Sequence, residues 1–160
     1  METYYLETDL EKISALGELR KEENYRFKAF LKKRNGYKID LLVHQLNGQV
    51  SSRIDCITCG NCCKKLSPYL NEDDLLRLAQ ATRVSIEEVL SSLTEKDDAG
   101  ISFRHLPCSF LAENKCTIYH HRPGNCASFP HLHKSNITSG LRRVIDNYSI
   151  CLLSSTLWSD

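Results

Sequence analysis

The chain has 160 residues, the size of one domain, and at that size folding hides roughly 70% of the surface an unfolded chain exposes. A hydrophobic share of 41% and a charged share of 26% exclude long disorder. The 21 Lys and Arg against 20 Asp and Glu leave a formal net charge of +1, which excludes a global field that would attract nucleic acid or an anionic membrane. No apolar stretch approaches the ~20 residues of a membrane helix, and Met1 to Glu7 lacks the pattern of a secretory leader. The expectation is a cytoplasmic protein with no membrane partner and no clear nucleic-acid partner. In that setting 8 cysteines point to metal binding or redox chemistry before structural disulfides.

In chain order, Thr8-Asp9-Leu10-Glu11 has the form of a capping box. Leu10, Ile13, Leu16, Phe27, Phe30 and Leu31 continue at helical spacing to a stop at Asn35-Gly36, with Gly17 as a point of weakness or a break. Between Arg26 and Lys38 stand six basic residues and no acidic one, a pattern that fits an acidic partner or RNA and more often a solvated helix face. A second helix is predicted from Ile39, Leu42, Val43, Leu46 and Val50 on one stripe, with His44 off it in a surface or hydrogen-bonded role.

Four of the cysteines then follow in Cys56-Ile57-Thr58-Cys59-Gly60-Asn61-Cys62-Cys63. Beyond them, Asn71-Glu72-Asp73-Asp74 and Ser85-Ile86-Glu87-Glu88 open two short helices, a hairpin whose acidic first turns suit the helix dipole. From Gly100 the texture becomes turn-rich, with Phe110-Leu111, a turn at Glu113-Asn114, and Cys116-Thr117-Ile118-Tyr119 read as a β-hairpin. The predicted fold is mainly α: a small single domain with N-terminal helices, a helical hairpin and an irregular cysteine-rich half containing a short β-hairpin. A helical segment over 1–53 is expected to pack on a cysteine-cluster region over 54–160.

Two sulfurs spaced Cys-x-x-Cys reach one site through a tight turn whose amides can stabilise thiolates, and Gly60 permits the left-handed conformation such turns use. Extension to Cys62 offers three sulfurs to one centre with a fourth position open. Cys63 is expected to point away from Cys62, since adjacent side chains diverge. One arrangement has Cys56, Cys59 and Cys62 at one centre and Cys63 with some of Cys108, Cys116, Cys126 and Cys151 at another. The alternative is one centre, with the remaining cysteines buried as core residues.

The run Cys-x-x-Cys-Gly-x-Cys-Cys, followed by Cys108-Ser109-Phe110-Leu111, Cys116-Thr117-Ile118-Tyr119, Arg122-Pro123-Gly124-Asn125-Cys126, Phe129-Pro130 and finally Cys151, closely resembles the cysteine-cluster family named for its CxxCxxCC signature, a zinc- or iron-chelating domain. The resemblance spans roughly Ile54 to Cys151 and implies a metal role for all eight cysteines. The chain departs from the family pattern at Ala127, where arginine is common, and at His120, where an acidic residue is common. The resemblance extends to domains in flagellin lysine methylases, and so implies no single reaction.

A divalent ion on four thiolates carries a formal charge of −2, and burying it calls for positive neighbours and donors. Lys64, Lys65 and Arg122 are the candidates, with Tyr119 and Phe129 as shielding rings. His105, His120, His121, His131 and His133 surround the later cysteines and would serve as ligands only in a mixed site. The function expected is a zinc- or iron-binding protein with one or two thiolate centres, structural or metal-handling. The alternative is an iron–sulfur redox protein or enzyme, carrying a [4Fe-4S] cluster or related to a methyltransferase. Thiol–disulfide exchange at Cys56 and Cys59 lacks the βαβ setting it normally uses, and Cys/His catalysis leaves most of the cysteines unexplained.

Overall fold

The computed structural model describes residues 6–157, so the N-terminal stretch read for a leader lies largely outside it. Helices α1 (Leu10–Leu19), α2 (Lys21–Leu31) and α3 (Gly36–Ser51) lead to two short helices, α4 (Cys56–Cys59) and α5 (Asn61–Lys65). Strand β1 (Tyr69–Leu70), the hairpin helices α6 (Glu72–Thr82) and α7 (Ile86–Leu93), and strands β2 (Thr94–Asp97) and β3 (Gly100–Phe103) follow. A second hairpin, β4 (Leu111–Ala112) and β5 (Lys115–Cys116), precedes a 3-10 turn at Tyr119–His121 and helices α8 (Gly124–Ser128), α9 (Ile137–Asp146) and α10 (Leu152–Leu157). The chain is mainly α, as the sequence predicts. Among the described residues no helix is long and apolar enough to cross a membrane.

The residues form two compact units, one from 1–55 with 130–160 and one from Cys56 to Phe129. In the helical unit, Asp9 caps α1 by accepting from the amides of Glu11 and Lys12. The predicted long first helix is broken at Arg20 and ends at Leu31, while Asn35 begins α3 by accepting from the Lys38 amide. Gly17 is not the break. A Cβ there would stand 2.5 Å from the Ser149 Cβ and 2.9 Å from its Cα, so the glycine lets α1 approach the chain beyond α9. Of the predicted α3 stripe, Ile39, Val43 and Val50 are buried, whereas Leu42 is 55% exposed, because tertiary packing uses a narrower arc than the spacing allows.

The core of this unit joins Ile13, Ile39, Val43 and Val50 to Leu141, Val144, Ile145, Tyr148 and Leu153. Helix α9 has no side-chain cap of its own. Asp40 of α3 supplies it, accepting from the Asn136 amide at 2.7 Å and the Ile137 amide at 2.9 Å. His44 takes its expected hydrogen-bonded place, with Nε2 3.0 Å from the Lys134 carbonyl oxygen.

The other unit is built on Leu70, Leu75, Leu78, Val89 and Phe103, with Cys108, Phe110 and Ile118 packed against them. Strand β3 is central in an antiparallel sheet ordered β1-β3-β2. That sheet was hidden in the sequence because Thr94-Glu95-Lys96-Asp97 carries little apolar alternation and exposes three of its four residues.

Gly17 generates a prediction whose sign is decided by magnitude. A glycine-to-alanine change inside a helix ordinarily gains about 1 kcal/mol of propensity. Overpacking a closed contact costs about 1–3 kcal/mol, and here the obstacle is the Ser149 Cβ and the backbone that carries it. Gly17→Ala should therefore lower stability in urea unfolding, and a stabilised variant would mean that the α1 contact is loose.

Candidate metal centre

Helix α4 carries Cys56 and Cys59 at its ends, and Gly60 then turns the chain into α5, which carries Cys62 and Cys63. Gly60 has φ 59°, the left-handed conformation that its sequence context predicts. A Cβ on it would stand 2.7 Å from the Asn114 carbonyl oxygen and 3.1 Å from a Leu111 methyl. The first cysteine loop is thus pressed onto the tip of the β4–β5 hairpin, where Glu113 and Asn114 also have positive φ and Leu111 pairs with Cys116. The Cys108 amide donates to the Cys63 carbonyl at 2.8 Å, tying a third segment to α5.

These contacts gather sulfur. The Cys126 thiol is pushed up to about 12, first by burial and then by Cys63, Cys108 and Cys116, with Arg122 opposing. Burial also raises Cys108, which feels Cys63 and Cys116, and Cys116, which feels Cys63. Cys63 is raised most strongly, by a thiol–thiol hydrogen bond with Cys62, then by burial and by the charge of Cys62. Cys63, Cys108, Cys116 and Cys126 therefore share one electrostatic neighbourhood with Cys62 on its edge. The Cys62 and Cys63 thiols are nevertheless close enough to hydrogen-bond. Both lie on one turn of helix, where successive side chains are about 100° apart and not opposed as in a strand.

Two of these thiols receive the same backbone support. The Phe110 amide hydrogen-bonds Cys108 and the Ile118 amide hydrogen-bonds Cys116, each donor two residues beyond its sulfur, and each stabilises the thiolate form. Arg122 is the cation coupled to Cys63, Cys116 and Cys126. Its guanidinium lies 3.7 Å from the Tyr119 ring centroid, so Tyr119 positions that charge. Lys64 and Lys65 form the last turn of α5, Lys64 half-buried and Lys65 exposed.

Cys56 is exposed and Cys59 half-buried. Cys151 lies in the helical unit, where it is buried next to Leu152 and Leu153. His131 and His133 belong to that unit as well; burial lowers His131, with Lys134, Arg143 and His133 adding to the effect. His105, His120 and His121 are exposed, and His120 stands edge-on to Tyr119 at 5.8 Å.

Among the described residues no three His, Cys, Asp or Glu side chains stand as a finished ligand set. The donors nevertheless fit a thiophilic ion: soft sulfur ligands, amides aimed at two of them and one guanidinium to offset charge.

The residue that the sequence reading undervalued is Asp74. Its capping role is as predicted, with the Asp74 amide donating to Asn71 Oδ1 at 2.8 Å and the Asn71 amide donating back to Asp74 Oδ2 at 3.0 Å. The other oxygen, Oδ1, accepts from the Gly124 amide at 2.8 Å and pairs with Arg77. Burial would raise this carboxyl, but the amides of Gly124 and Asn71 and the Arg77 guanidinium together hold it below the ordinary range. One cap therefore anchors the Arg122 to Cys126 segment, while Asn125 Nδ2 donates to the Tyr69 carbonyl at 2.8 Å. Spacing alone could not reveal a contact across 50 residues.

Residues 55–145 match the CxxCxxCC family, described as a "putative zinc- or iron-chelating domain". The chain belongs to this family. No curated protein and no solved structure matches it. In this CxxCxxCC protein the departure at His120 places an imidazole against Tyr119, and Ala127 occupies the exposed side of α8.

Substitutions at two positions test the scaffold. Gly60→Ala should cost about 1–2 kcal/mol for the left-handed conformation alone, with a further loss from the Asn114 carbonyl contact, and should reduce metal retained after dialysis. Asp74→Ala should cost about 3 kcal/mol by stranding its donors, and Asp74→Asn, which keeps an acceptor oxygen, should cost less. Urea unfolding reads both, and equal stability of Asp74→Ala and wild type would remove Asp74 from the scaffold.

Proposed function

We propose that this protein binds zinc or iron through cysteine thiolates, with Cys63, Cys108, Cys116 and Cys126 as one ligand set and Cys56, Cys59 and Cys62 as a second set beside it. The observation that carries this reading is that the four thiols feel one another's charge, with Arg122 acting on Cys63, Cys116 and Cys126. Thiols that feel one another's charge beside a guanidinium are a poor use of a core and a good use of a cation site. As thiolates they repel one another, and a divalent ion removes that repulsion while releasing their protons.

The chemistry supplied is tight, soft-ligand chelation. The segment 104–128 contains only two-residue strands, a 3-10 turn and the five-residue α8, so ligation would supply much of its folding free energy, and the role proposed is structural or metal-handling. The expected cytoplasmic setting keeps such thiols reduced. The Cys56, Cys59 and Cys62 spacing is the part that an iron–sulfur cluster would use, with a fourth ligand from outside the triplet.

Metal analysis of anaerobically purified protein, taken with its visible spectrum, tests the proposal. Stoichiometric metal is expected, colourless for zinc and brown with a bleachable visible band for a cluster. Cys63→Ser, Cys116→Ser and Cys126→Ser should each lose metal and melt earlier, and Cys59→Ser should lose the metal of the second set. His105→Gln should keep full metal content. Wild-type protein that carries no metal, and whose melting is unmoved by a strong chelator, would overturn the reading.

A further inference from the structure

We infer that α2, the turn after it and the first residues of α3 form a binding surface for single-stranded nucleic acid, built on interleaved cations and aromatic rings in the helical unit. The surface owes nothing to the cysteines. Its sequence is Arg26-Phe27-Lys28-Ala29-Phe30-Leu31-Lys32-Lys33-Arg34-Asn35-Gly36-Tyr37-Lys38, with six positive side chains and no negative one in a chain whose net charge is +1. A solvated helix face accounts for the cations and leaves the rings unexplained. Phe27 is 42% exposed, Phe30 49% and Tyr37 71%, although burying such rings is among the largest apolar gains a small unit has available.

The arrangement of the rings is specific. Phe27 and Phe30 are stacked at 6.0 Å with 14° between their planes, and the Arg34 guanidinium lies 4.2 Å from the Phe30 centroid. A second cation sits over a ring one turn earlier, with Lys28 Nζ 4.3 Å from the Tyr25 centroid. Flat apolar faces and positive charge thus alternate along one stretch, exposed at Phe27, Phe30 and Arg34 and half-buried at Tyr25 and Lys28. A base stacks on an aromatic or guanidinium plane while its phosphate meets a neighbouring cation. An acidic protein segment would satisfy the cations and would make no use of stacked rings, so the geometry favours a single-stranded polyanion bearing flat bases. Tyr25 is held by a hydrogen bond from its hydroxyl to Asp146 at 3.0 Å, which fixes α2 on α9 and keeps the platform rigid.

The test is fluorescence anisotropy of a labelled twelve-residue oligouridylate and its oligothymidylate counterpart with the full chain as purified. Binding of either strand is expected, and neutralising three or four phosphates predicts a roughly 20- to 50-fold loss of affinity between 50 and 200 mM salt. Phe27→Ala with Phe30→Ala should weaken binding by about tenfold or more at constant salt, and the corresponding tyrosine pair should restore it. Lys32→Gln, Lys33→Gln and Arg34→Gln together should flatten the salt dependence. All these positions are exposed, so helical content should match wild type in each variant. No binding at 50 mM salt, binding indifferent to the phenylalanines, or equal binding to polyglutamate would each overturn the inference. None of these outcomes bears on the cysteine sites, because no cysteine is altered.

Discussion

Gathering sulfur in a small unit is an electrostatic problem before it is a packing problem. Cys63, Cys108, Cys116 and Cys126 come from separate stretches of chain and feel one another's charge where burial already disfavours their charged forms. Left as thiols they are small weakly polar residues, and Cys108 indeed packs against the apolar cluster around Leu78 and Phe103. As thiolates they need compensation. The amides of Phe110 and Ile118, the Arg122 guanidinium and a soft cation are the compensating charges that the chemistry offers.

The scaffold is arranged so that these stretches arrive without long regular elements. Gly60 is pressed against the β4–β5 tip, the Cys108 amide bonds to Cys63, and Asp74 reaches from the α6 cap to the Gly124 amide. Each is a single short-range contact closing a long loop, and loop-closure entropy grows only slowly with length. A few such clamps can therefore hold an irregular region in place, but each carries a larger share of the stability than a contact inside a long helix would. Losing a clamp and losing the ion should accordingly have similar consequences for the folding of this region.

What was legible in the sequence was whatever is written locally. The caps at Asn71 and Ser85, the left-handed turn at Gly60 and the Glu113-Asn114 hairpin all depend on a few consecutive residues, and the first cap is displaced only by one residue, from Thr8 of the expected box to Asp9. The grouping of the cysteines was legible only in outline, because which sulfurs share a neighbourhood depends on tertiary routes that spacing does not encode. The hydrogen bond between the Cys62 and Cys63 thiols is invisible in spacing for a related reason. Divergence of neighbouring side chains is a property of strands, and a one-turn helix relaxes it. Gly17 and Leu42 mark the same boundary, since a glycine in a helix and a leucine on a stripe acquire their roles only from what packs against them.

The family segment also depends on residues outside itself. Its match ends at residue 145, inside α9, whose Ile137, Leu141, Val144 and Ile145 are buried. A ten-residue helix is marginal alone in water, and α9 lacks a side-chain cap of its own. Its apolar stripe is covered by α2 and α3, and its first amides are capped by Asp40 of α3. Helices that precede the signature thus complete the element on which the signature's segment ends. The same α2 that covers α9 on one side carries the exposed cations and rings on the other, so one helix joins the stability of the helical unit to the surface inferred to bind a polyanion.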